Sequence, residues 1–351
     1  MLHGHLWVEP LPGYMEHVTA NGHQYILHPL GSALVCLPFV AMGITDQRLI
    51  SCLLGVVAAL LCYQLTRSGW LTAFFVCGTT FLYEATLGAS WNFCCIASCV
   101  FTFAALCELN RNERFLAHFR LDDSRVDYSR ASLIGLWCVL AALCRYDLVL
   151  TWPAYAWVIY DSHCALNGNS RLSLNRLALA KIGVCGIFAT IAGIVYVWYN
   201  YERFHTFWDG SMWLWYAQDT YRLQRPFGPL SYRYIPWALY TLFFMAPNYQ
   251  GGFPWIRPQL MGQSLLSLSP AFLLARPSPY LAMAVLCSIP PLMWYASGFV
   301  QFGARYYVEA FPFLIASMRS SSQSPSAKAL IAASMVLSIS QTLIVWTWGL
   351  A

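Results

Sequence analysis

Apolar runs separated by short basic connections constrain this chain more than any other feature. Hydrophobic residues make up 58% of the sequence and charged residues 10%, which leaves too little polar surface to cover a water-soluble globule. We therefore predict an all-α fold, a polytopic transmembrane helix bundle with about nine or ten crossings of a hydrocarbon layer roughly 30 Å thick. The runs that are long enough, or nearly long enough, to cross lie at about 48–66, 70–88, 92–108, 131–160, 182–199, 262–276, 279–297, 305–318 and 329–348.

The basic residues predict which side each connection faces. Arg67 and Arg276 lie in two connections, and further basic residues lie in the segments 111–130, 170–181 and 318–328. By the positive-inside rule these connections face the cytoplasm. One helix over 131–160 would be about 45 Å long and would put 170–181 on the opposite side. We therefore predict a helical hairpin that splits near Arg145.

The other regions predict a single membrane domain over 1–351 with two large external loops. Residues 28–43 are apolar but too short to cross, so we expect an interfacial or re-entrant helix there, within a first external loop over 1–47. A second external loop over 200–261 mixes aromatic with polar residues. Any chemistry is expected in these external regions.

Charge and cysteine content narrow the partners. The net charge of +5 is spread over loops without a dense basic run, so we expect membrane lipids as partners and no nucleic acid. The 13 cysteines lie mostly in apolar runs and are interpreted as small buried hydrophobic residues, without a disulfide framework.

Histidines are concentrated at the start of the chain, where five of the eight fall in the first 28 residues. Together with Glu9 and Glu16 they could bind a divalent metal such as Mg²⁺ or Mn²⁺, but their spacing matches no established ligand motif. The alternative is a set of polar loop residues in which His28 fixes the turn at Pro29. The sequence assigns no metal site.

Six local patterns follow one another along the chain. They are NGHQYILHPLGSALVCLPF (21–39), CGTTFLYEATLGASWNF (77–93), LAALCRYDLVLTWPAYAW (140–157), WYNYERFHTFWDGSMWLW (198–215), SLLSLSPAFLLA (264–275) and FGARYYVEAFPFLI (302–315). In this order they resemble segments of the membrane-embedded GT-C glycosyltransferases. The resemblance is to family 39 in particular, with its dolichyl-phosphate-mannose protein mannosyltransferases and bacterial aminoarabinose transferases. It runs nearly end to end, with Leu30 where the family has a second Pro and His205 where it has Gly.

The resemblance implies a transferase at the outer or lumenal face of a membrane. A sugar carried on a polyprenyl phosphate would pass to a hydroxyl group of a lipid, glycan or protein acceptor, with inversion at the anomeric carbon. Such a transfer needs a base for the acceptor proton and cations for the leaving phosphate. Arg145 and Arg305 are the predicted phosphate-binding residues. The alternatives are an ion pair with Asp147 or snorkelling for Arg145, and an ion pair with Glu309 for Arg305.

The predicted base departs from the family pattern. The family has an acidic residue early in the first external loop, after a first transmembrane helix, and this chain begins within that loop. Both features are therefore expected to be missing. Glu9 and Glu16 in the loop, and Glu84 at the outer end of a crossing, are the candidate bases. The alternative is that the first two are solvated loop charges and that Glu84 is structural.

Further aromatic and polar residues complete the expected site. Tyr25, His28, Trp91, Trp213 and Tyr306 are predicted to contact substrate or to shape its loops. One aromatic set could stack on sugar faces or line a lipid groove; it consists of Trp208, Trp213, Trp215, Tyr216 and Tyr221. An interfacial aromatic belt accounts equally well for Trp213 and its neighbours.

Two other functions stay open at this point. A non-catalytic relative, acting as a subunit or scaffold, is favoured by the missing acidic residue. A secondary transporter or flippase would have polar residues near the middle of several helices and some repeat symmetry, whereas most runs here are uninterrupted and no repeat is visible. A compact multi-pass chain without a large lumenal domain favours a bacterial inner membrane over the endoplasmic reticulum.

Overall fold

The computed structural model describes residues 6–9, 17–110, 127–166, 175–253, 255–257, 262–297 and 303–347, and most of them are helical. In chain order the helices are α1 (Leu30–Ala41), α2 (Gln47–Thr66), α3 (Gly69–Cys77), α4 (Phe81–Leu87), α5 (Ser90–Leu109), α6 (Tyr128–Cys144), α7 (Trp152–Leu166), α8 (Arg176–Phe204), α9 (Gly210–Gln218), α10 (Ile235–Phe243), α11 (Leu265–Leu268), α12 (Pro279–Met293), α13 (Phe311–Ser317) and α14 (Pro325–Thr347). Short 3₁₀ helices occupy Tyr146–Thr151, Thr220–Gln224, Tyr232–Tyr234, Pro270–Leu274 and Arg305–Ala310.

Two small β-hairpins depart from the all-α prediction. Strands β1 (His17–Ala20) and β2 (His23–Ile26) pair antiparallel, as do the two-residue strands β3 (Asn248–Tyr249) and β4 (Ile256–Arg257). The first hairpin turns through Asn21 and Gly22, which have φ of 51° and 76°. Asn-Gly is the dipeptide that two-residue hairpin turns favour, because both positions need positive φ.

Four helices of the described residues, α2, α5, α8 and α14, are long and apolar enough to cross a membrane. They coincide with the apolar runs predicted at 48–66, 92–108, 182–199 and 329–348. Helices α1, α6 and α12 are apolar but shorter. The chain is thus mostly helical with four candidate membrane spans, and the larger number of crossings stays a prediction.

Several predicted runs are broken rather than continuous. The run at 70–88 forms α3 and α4, with a break between them at residues 78–80. The Thr79 hydroxyl satisfies backbone groups at this break, because it donates to Phe75 O (2.7 Å) and accepts from Phe81 N (3.1 Å). The runs at 262–276 and 305–318 each form a short α-helix joined to a 3₁₀ helix.

The split predicted near Arg145 is confirmed. Helix α6 ends at Cys144, and Arg145 has extended backbone angles, φ −145° and ψ 106°, before the 3₁₀ helix begins. The separation into two shorter segments removes the need for one helix of about 45 Å.

Helix α5 is the centre of the packing. In its most apolar 18-residue stretch 72% of the residues are buried, compared with 17% in the same length of α8. Helix α5 is therefore enclosed by other helices, while α8 is peripheral. It packs mainly against α2 and α6. Phe103 of α5 lies edge-on to Phe75 of α3, with ring centroids 4.9 Å apart. The core therefore joins the first helices of the chain to the middle ones.

One group of helix ends meets around Asn110, just beyond α5. The Asn110 side-chain oxygen accepts hydrogen bonds from Tyr280 OH (2.6 Å) and Arg319 Nη1 (3.3 Å). Nearby in the chain, Arg130 of α6 donates to the carbonyl of Glu108 and pairs with its carboxylate. We call this the Asn110 end; it lies beside the basic connections.

The opposite group of helix ends contains Glu84, and we call it the Glu84 end. Gly88, in the left-handed region with φ 64°, lets the end of α4 approach the start of α2. A Cβ at this position would lie 2.6 Å from Arg48 Cα. The turn between α4 and α5 therefore lies beside the start of α2 at this end.

Helix α1 lies against the Glu84 end of the bundle. Gly31 meets the backbone at the end of α6, where an added Cβ would lie 2.5 Å from Leu143 C. Further along α1, Val35, Cys36 and Phe39 pack against a buried cluster that includes Phe93 and Cys144. The helix thus falls where the interfacial helix was predicted; its relation to a membrane stays a prediction.

Candidate functional site

Glu84 is a fully buried carboxylate with one oxygen available. It lies on the short helix α4, between the break at residues 78–80 and the turn at Gly88. One carboxylate oxygen accepts a hydrogen bond from the Asn92 side-chain amide, and Asn92 is itself fully buried on α5. The other oxygen, Oε1, has no hydrogen-bond partner. A buried carboxylate of this kind is suited to accept a proton from a ligand hydroxyl.

Arg305 lies beside Glu84 and is surrounded by aromatic rings. Its guanidinium carbon is 5.2 Å from the centroid of Trp91 and 4.8 Å from that of Tyr306. The guanidinium also donates to Tyr306 OH at 3.0 Å and interacts electrostatically with Glu84. Aromatic faces stabilise a cation without neutralising its charge. The rings therefore leave the positive charge of Arg305 in place, and this charge attracts anionic groups beside it.

Arg145 is held by two carboxylates. Its Nη2 atom lies 2.7 Å from Glu309 Oε1 and 3.4 Å from Asp147 Oδ2. The side chain of Glu309 is 1% exposed and that of Asp147 is 9% exposed. Asp147, the alternative partner offered by the sequence, is therefore paired with Arg145, as is Glu309 from a distant segment. Two desolvated acids hold Arg145 in place, and its predicted contact with a phosphate is untested.

Glu309 pairs with Arg145. The sequence offers Glu309 as the alternative partner of Arg305, one α-helical turn away, but it bonds Arg145 instead. The reason is that Arg305–Ala310 is a 3₁₀ helix. With about three residues per turn, positions four apart point roughly a third of a turn away from each other. The two arginines are thus separated into two sub-sites.

Local backbone geometry places both arginines. The extended conformation at Arg145 ends α6 and begins a new direction, while Gly303 precedes the Arg305 turn with φ 63°. A side chain at Gly303 would clash with Thr80, so this segment packs directly against the start of α4. The break in one run and the glycine in another therefore bring Glu84 and Arg305 together.

The predicted site residues do not all meet. Glu84, Trp91, Arg145, Arg305 and Tyr306 gather at the Glu84 end, in contact or in electrostatic range of one another. These residues come from three separate segments of the chain. Sequence order alone would not have joined them.

The predicted residues of the first external loop precede α1 in the chain. Tyr25 is buried edge-on to Phe204, with ring centroids 5.6 Å apart. His28 interacts with the Cys94 side chain at the start of α5. Glu9 is exposed, as a solvated loop charge would be, and Glu16 lies outside the described residues. The predicted roles of these four residues stay untested.

Trp213 belongs to a different surface. It lies on α9 with 58% of its area exposed, and its ring is 3.7 Å from the position of a Cβ added to Gly228. Arg233 stacks nearby on Phe227, at 4.5 Å from the ring centroid. An exposed aromatic and arginine surface fits an interfacial position at least as well as a substrate contact.

Arg203 is a buried cation that sequence reasoning missed. It is 1% exposed, stacks 4.4 Å from the ring centroids of both Tyr199 and Phe204, and donates to Ile26 O at 2.6 Å. The side chain thereby fastens the β1–β2 hairpin to the end of α8. A signal was present in the sequence, since Arg203 follows the long apolar run of α8.

Among the described side chains, no group of three or more His, Cys, Asp or Glu residues could hold a metal ion. His3, His5 and Glu16 lie outside the described residues. The possible Mg²⁺ or Mn²⁺ stays a prediction.

Comparisons with protein-family models, with curated proteins and with solved structures found no match to this chain.

Proposed function

We propose that this chain is a membrane glycosyltransferase that moves a sugar from a polyprenyl-phosphate carrier to a hydroxyl acceptor at the Glu84 end of the bundle. The observation that carries the proposal is the pairing of a buried carboxylate, with Oε1 unpartnered, and a guanidinium framed by Trp91 and Tyr306. A base and a cation at one membrane boundary are the two groups that such a transfer needs.

The proposed reaction uses Glu84 as the general base. Its Oε1 atom accepts the proton of the acceptor hydroxyl, and the acceptor oxygen forms a bond to the anomeric carbon. The bond between that carbon and the carrier phosphate breaks, and its electron pair stays on the phosphate oxygen. Arg305 stabilises the negative charge that develops there. Asn92 orients Glu84 through its hydrogen bond, as a positioning residue.

The membrane location suits this chemistry. A polyprenyl tail cannot leave the bilayer, so its phosphate must be met at the boundary between lipid and water. The four candidate spans, and helix ends that carry buried charges, support such a site. We propose a multi-pass protein of a bacterial inner membrane, with the Glu84 end facing outward and the basic Asn110 end facing the cytoplasm.

The test is sugar transfer from radiolabelled polyprenyl-phosphate donors in membranes that contain the full chain. Glu84→Gln is expected to lower turnover by about 10²–10⁴-fold, because it removes the general base, while donor binding is retained. Arg305→Gln is expected to lower turnover by about 10²–10³-fold through lost charge stabilisation, and also to weaken donor binding.

Matched controls are the exposed residues Glu202 and Arg222. Glu202→Gln and Arg222→Gln change the same groups away from the cluster, so they should leave turnover within about twofold, as distant surface changes do. If Glu84→Gln and Glu202→Gln change donor consumption equally, then Glu84 takes no part in the reaction. A folded wild-type chain that consumes no donor would overturn the transferase and leave the subunit or scaffold hypothesis.

A second candidate, a secondary transporter or flippase, is favoured by one observation. Helix α14 buries a polar face that includes Ser334, Ser338, Gln341 and Thr342, and polar groups inside a membrane span commonly mark a transport path. A transporter would move a labelled lipid or solute across proteoliposomes without cleaving it. Cleavage of the sugar–phosphate bond therefore separates the two candidates.

A further inference from the structure

A set of buried, uncharged polar groups lies on segments that meet near the break between α3 and α4, the break that precedes the helix carrying Glu84. Side-chain oxygens of Thr80, Ser269, Gln341 and Thr342 are buried and have no hydrogen-bond partner. Each of these residues is at most 4% exposed. Burying a hydroxyl or amide without a partner costs on the order of 1–3 kcal/mol. A ligand that bonds the four groups in this region would therefore gain from each of them.

Contacts between helices place these groups at one junction. Ser338 Oγ donates to Thr79 O at 2.7 Å, which brings α14 across the break. Seven residues further along α14, Val345 packs with Tyr83 of α4 and Leu268 of α11. Residues 338, 341, 342 and 345 share one helical face. Gln341 and Thr342 therefore lie between two points where α14 touches the α4 region.

Thr80 joins this junction to Glu84. The Glu84 N–H donates to Thr80 O at 3.0 Å, so the two residues are one helical turn apart and project from the same side of α4. Gly303 packs against Thr80 and Leu268, just before the Arg305 turn. The unpartnered Oε1 of Glu84 and the unpartnered hydroxyl of Thr80 thus belong to neighbouring positions of one surface.

The chemistry of these four side chains indicates the ligand. Hydroxyl groups and an amide can both donate and accept hydrogen bonds, and none of these four side chains carries a charge. These side chains supply no cation for an anionic phosphate, and the unpartnered Oε1 of Gln341 needs a donor, whereas an uncharged group with several hydroxyls both donates and accepts. We propose that Thr80, Ser269, Gln341 and Thr342 bind the hydroxyl-bearing acceptor and present one of its hydroxyl groups to Glu84. This inference rests on the proposed transferase function.

A first experiment measures thermal unfolding of the purified full chain. Thr342→Val removes a hydroxyl without a protein partner, so its unfolding midpoint should equal or exceed that of the wild type. Ser338→Ala, one turn away on the same helix, removes a hydroxyl that bonds Thr79 O and should lower the midpoint by roughly 2–4 °C. A fall for Thr342→Val as large as that for Ser338→Ala would show that its hydroxyl is bonded within the protein, and would overturn the proposal.

A second experiment separates transfer from hydrolysis. Membranes are supplied with a radiolabelled polyprenyl-phosphate sugar, and label in acceptor products is counted beside free labelled sugar released by water. Thr80→Val and Thr342→Val should lower the ratio of transfer to hydrolysis about tenfold for each hydrogen bond to the acceptor that is lost. Donor consumption should persist, because the residues that meet the phosphate are unchanged. Ser338→Ala should keep the wild-type ratio.

The outcomes distinguish this inference from the function beneath it. An active wild type whose Thr80→Val and Thr342→Val variants keep the wild-type ratio would overturn the acceptor assignment and leave the transferase intact. A wild type that consumes no donor would overturn both.

Discussion

Replacement of Arg145 by Met tests whether this residue is structural or binds phosphate. The change leaves two carboxylates, of Glu309 and Asp147, that are 1% and 9% exposed and have lost the cation 2.7 Å and 3.4 Å away. Removing one partner of a buried ion pair typically costs about 3–5 kcal/mol, because an uncompensated charge stays in a low-dielectric interior. We expect the free energy of unfolding of Arg145→Met to fall by about that amount.

A double-mutant cycle isolates the ion pair. Arg145→Met combined with Glu309→Leu removes both charges, so the double variant should be more stable than Arg145→Met alone. Unfolding by denaturing detergent gives the free energies of unfolding of Arg145→Met, Glu309→Leu and the double variant. Arg222→Met, at an exposed position, is the matched control and should change stability by no more than about 0.5 kcal/mol.

The opposite outcome would refute the ion-pair reasoning. If Arg145→Met costs less than about 1 kcal/mol while donor binding is lost, then Arg145 is free of its carboxylates in the folded protein. It would then be the phosphate-binding residue predicted from the sequence.

Two further predictions concern helix packing and capping. Asp127 caps α6 by accepting from Arg130 N and Ser129 Oγ, both at 2.8 Å, and these bonds hold the pKa of its carboxyl below the usual range. Asp127→Ala should cost about 1 kcal/mol at pH 7. Because the folded pKa is depressed, this stabilisation is present above the unfolded value of about 3.9 and is lost as pH falls below it. Equal losses at pH 7 and pH 3 would contradict this account. Gly31→Ala should push α1 from the backbone of Leu143, at a cost of about 1–3 kcal/mol, and should speed hydrogen exchange in α1. Gly69→Ala, with open space around its Cβ position, is the control.

Continuous apolar sequence predicted the long helices well. The residues of α2 and α5 satisfy their own backbone hydrogen bonds within the helix and carry mostly apolar side chains, which is the condition that a membrane imposes and that composition reveals. The split at Arg145 followed from the length of the run and from the side on which the basic connection 170–181 would otherwise fall. Breaks such as residues 78–80 were missed, because a threonine hydroxyl can substitute for helical hydrogen bonds without lowering the apolar character of the run.

The candidate site was predicted in part. Glu84 and Arg305 stood out because charged groups next to apolar runs are costly unless they are used or paired. Their partners did not follow from the sequence. Asn92 is separated from Glu84 by the turn at Gly88, and Glu309 reaches Arg145 only because the 3₁₀ helix rotates it away from Arg305. Asn21 and Gly22 carry the turn signal of the first hairpin, within the segment predicted as an external loop.

The charges at the Glu84 end give the proposed reaction an internal balance. Glu84, Asp147 and Glu309 contribute three carboxylates, and Arg145 and Arg305 contribute two guanidinium groups. Since Arg145 is bonded to Glu309 and Asp147, Arg305 and Glu84 are the pair that a reaction can change. A carrier phosphodiester has one negative charge and gains a second when the sugar leaves. In the same step Glu84 takes the acceptor proton and loses its own charge, so the attraction of Arg305 passes from the carboxylate to the phosphate. Proton uptake at Glu84 and departure of the phosphate therefore favour each other electrostatically. For the same reason Glu84→Gln, which mimics the neutral carboxyl, is expected to retain donor binding while transfer is lost.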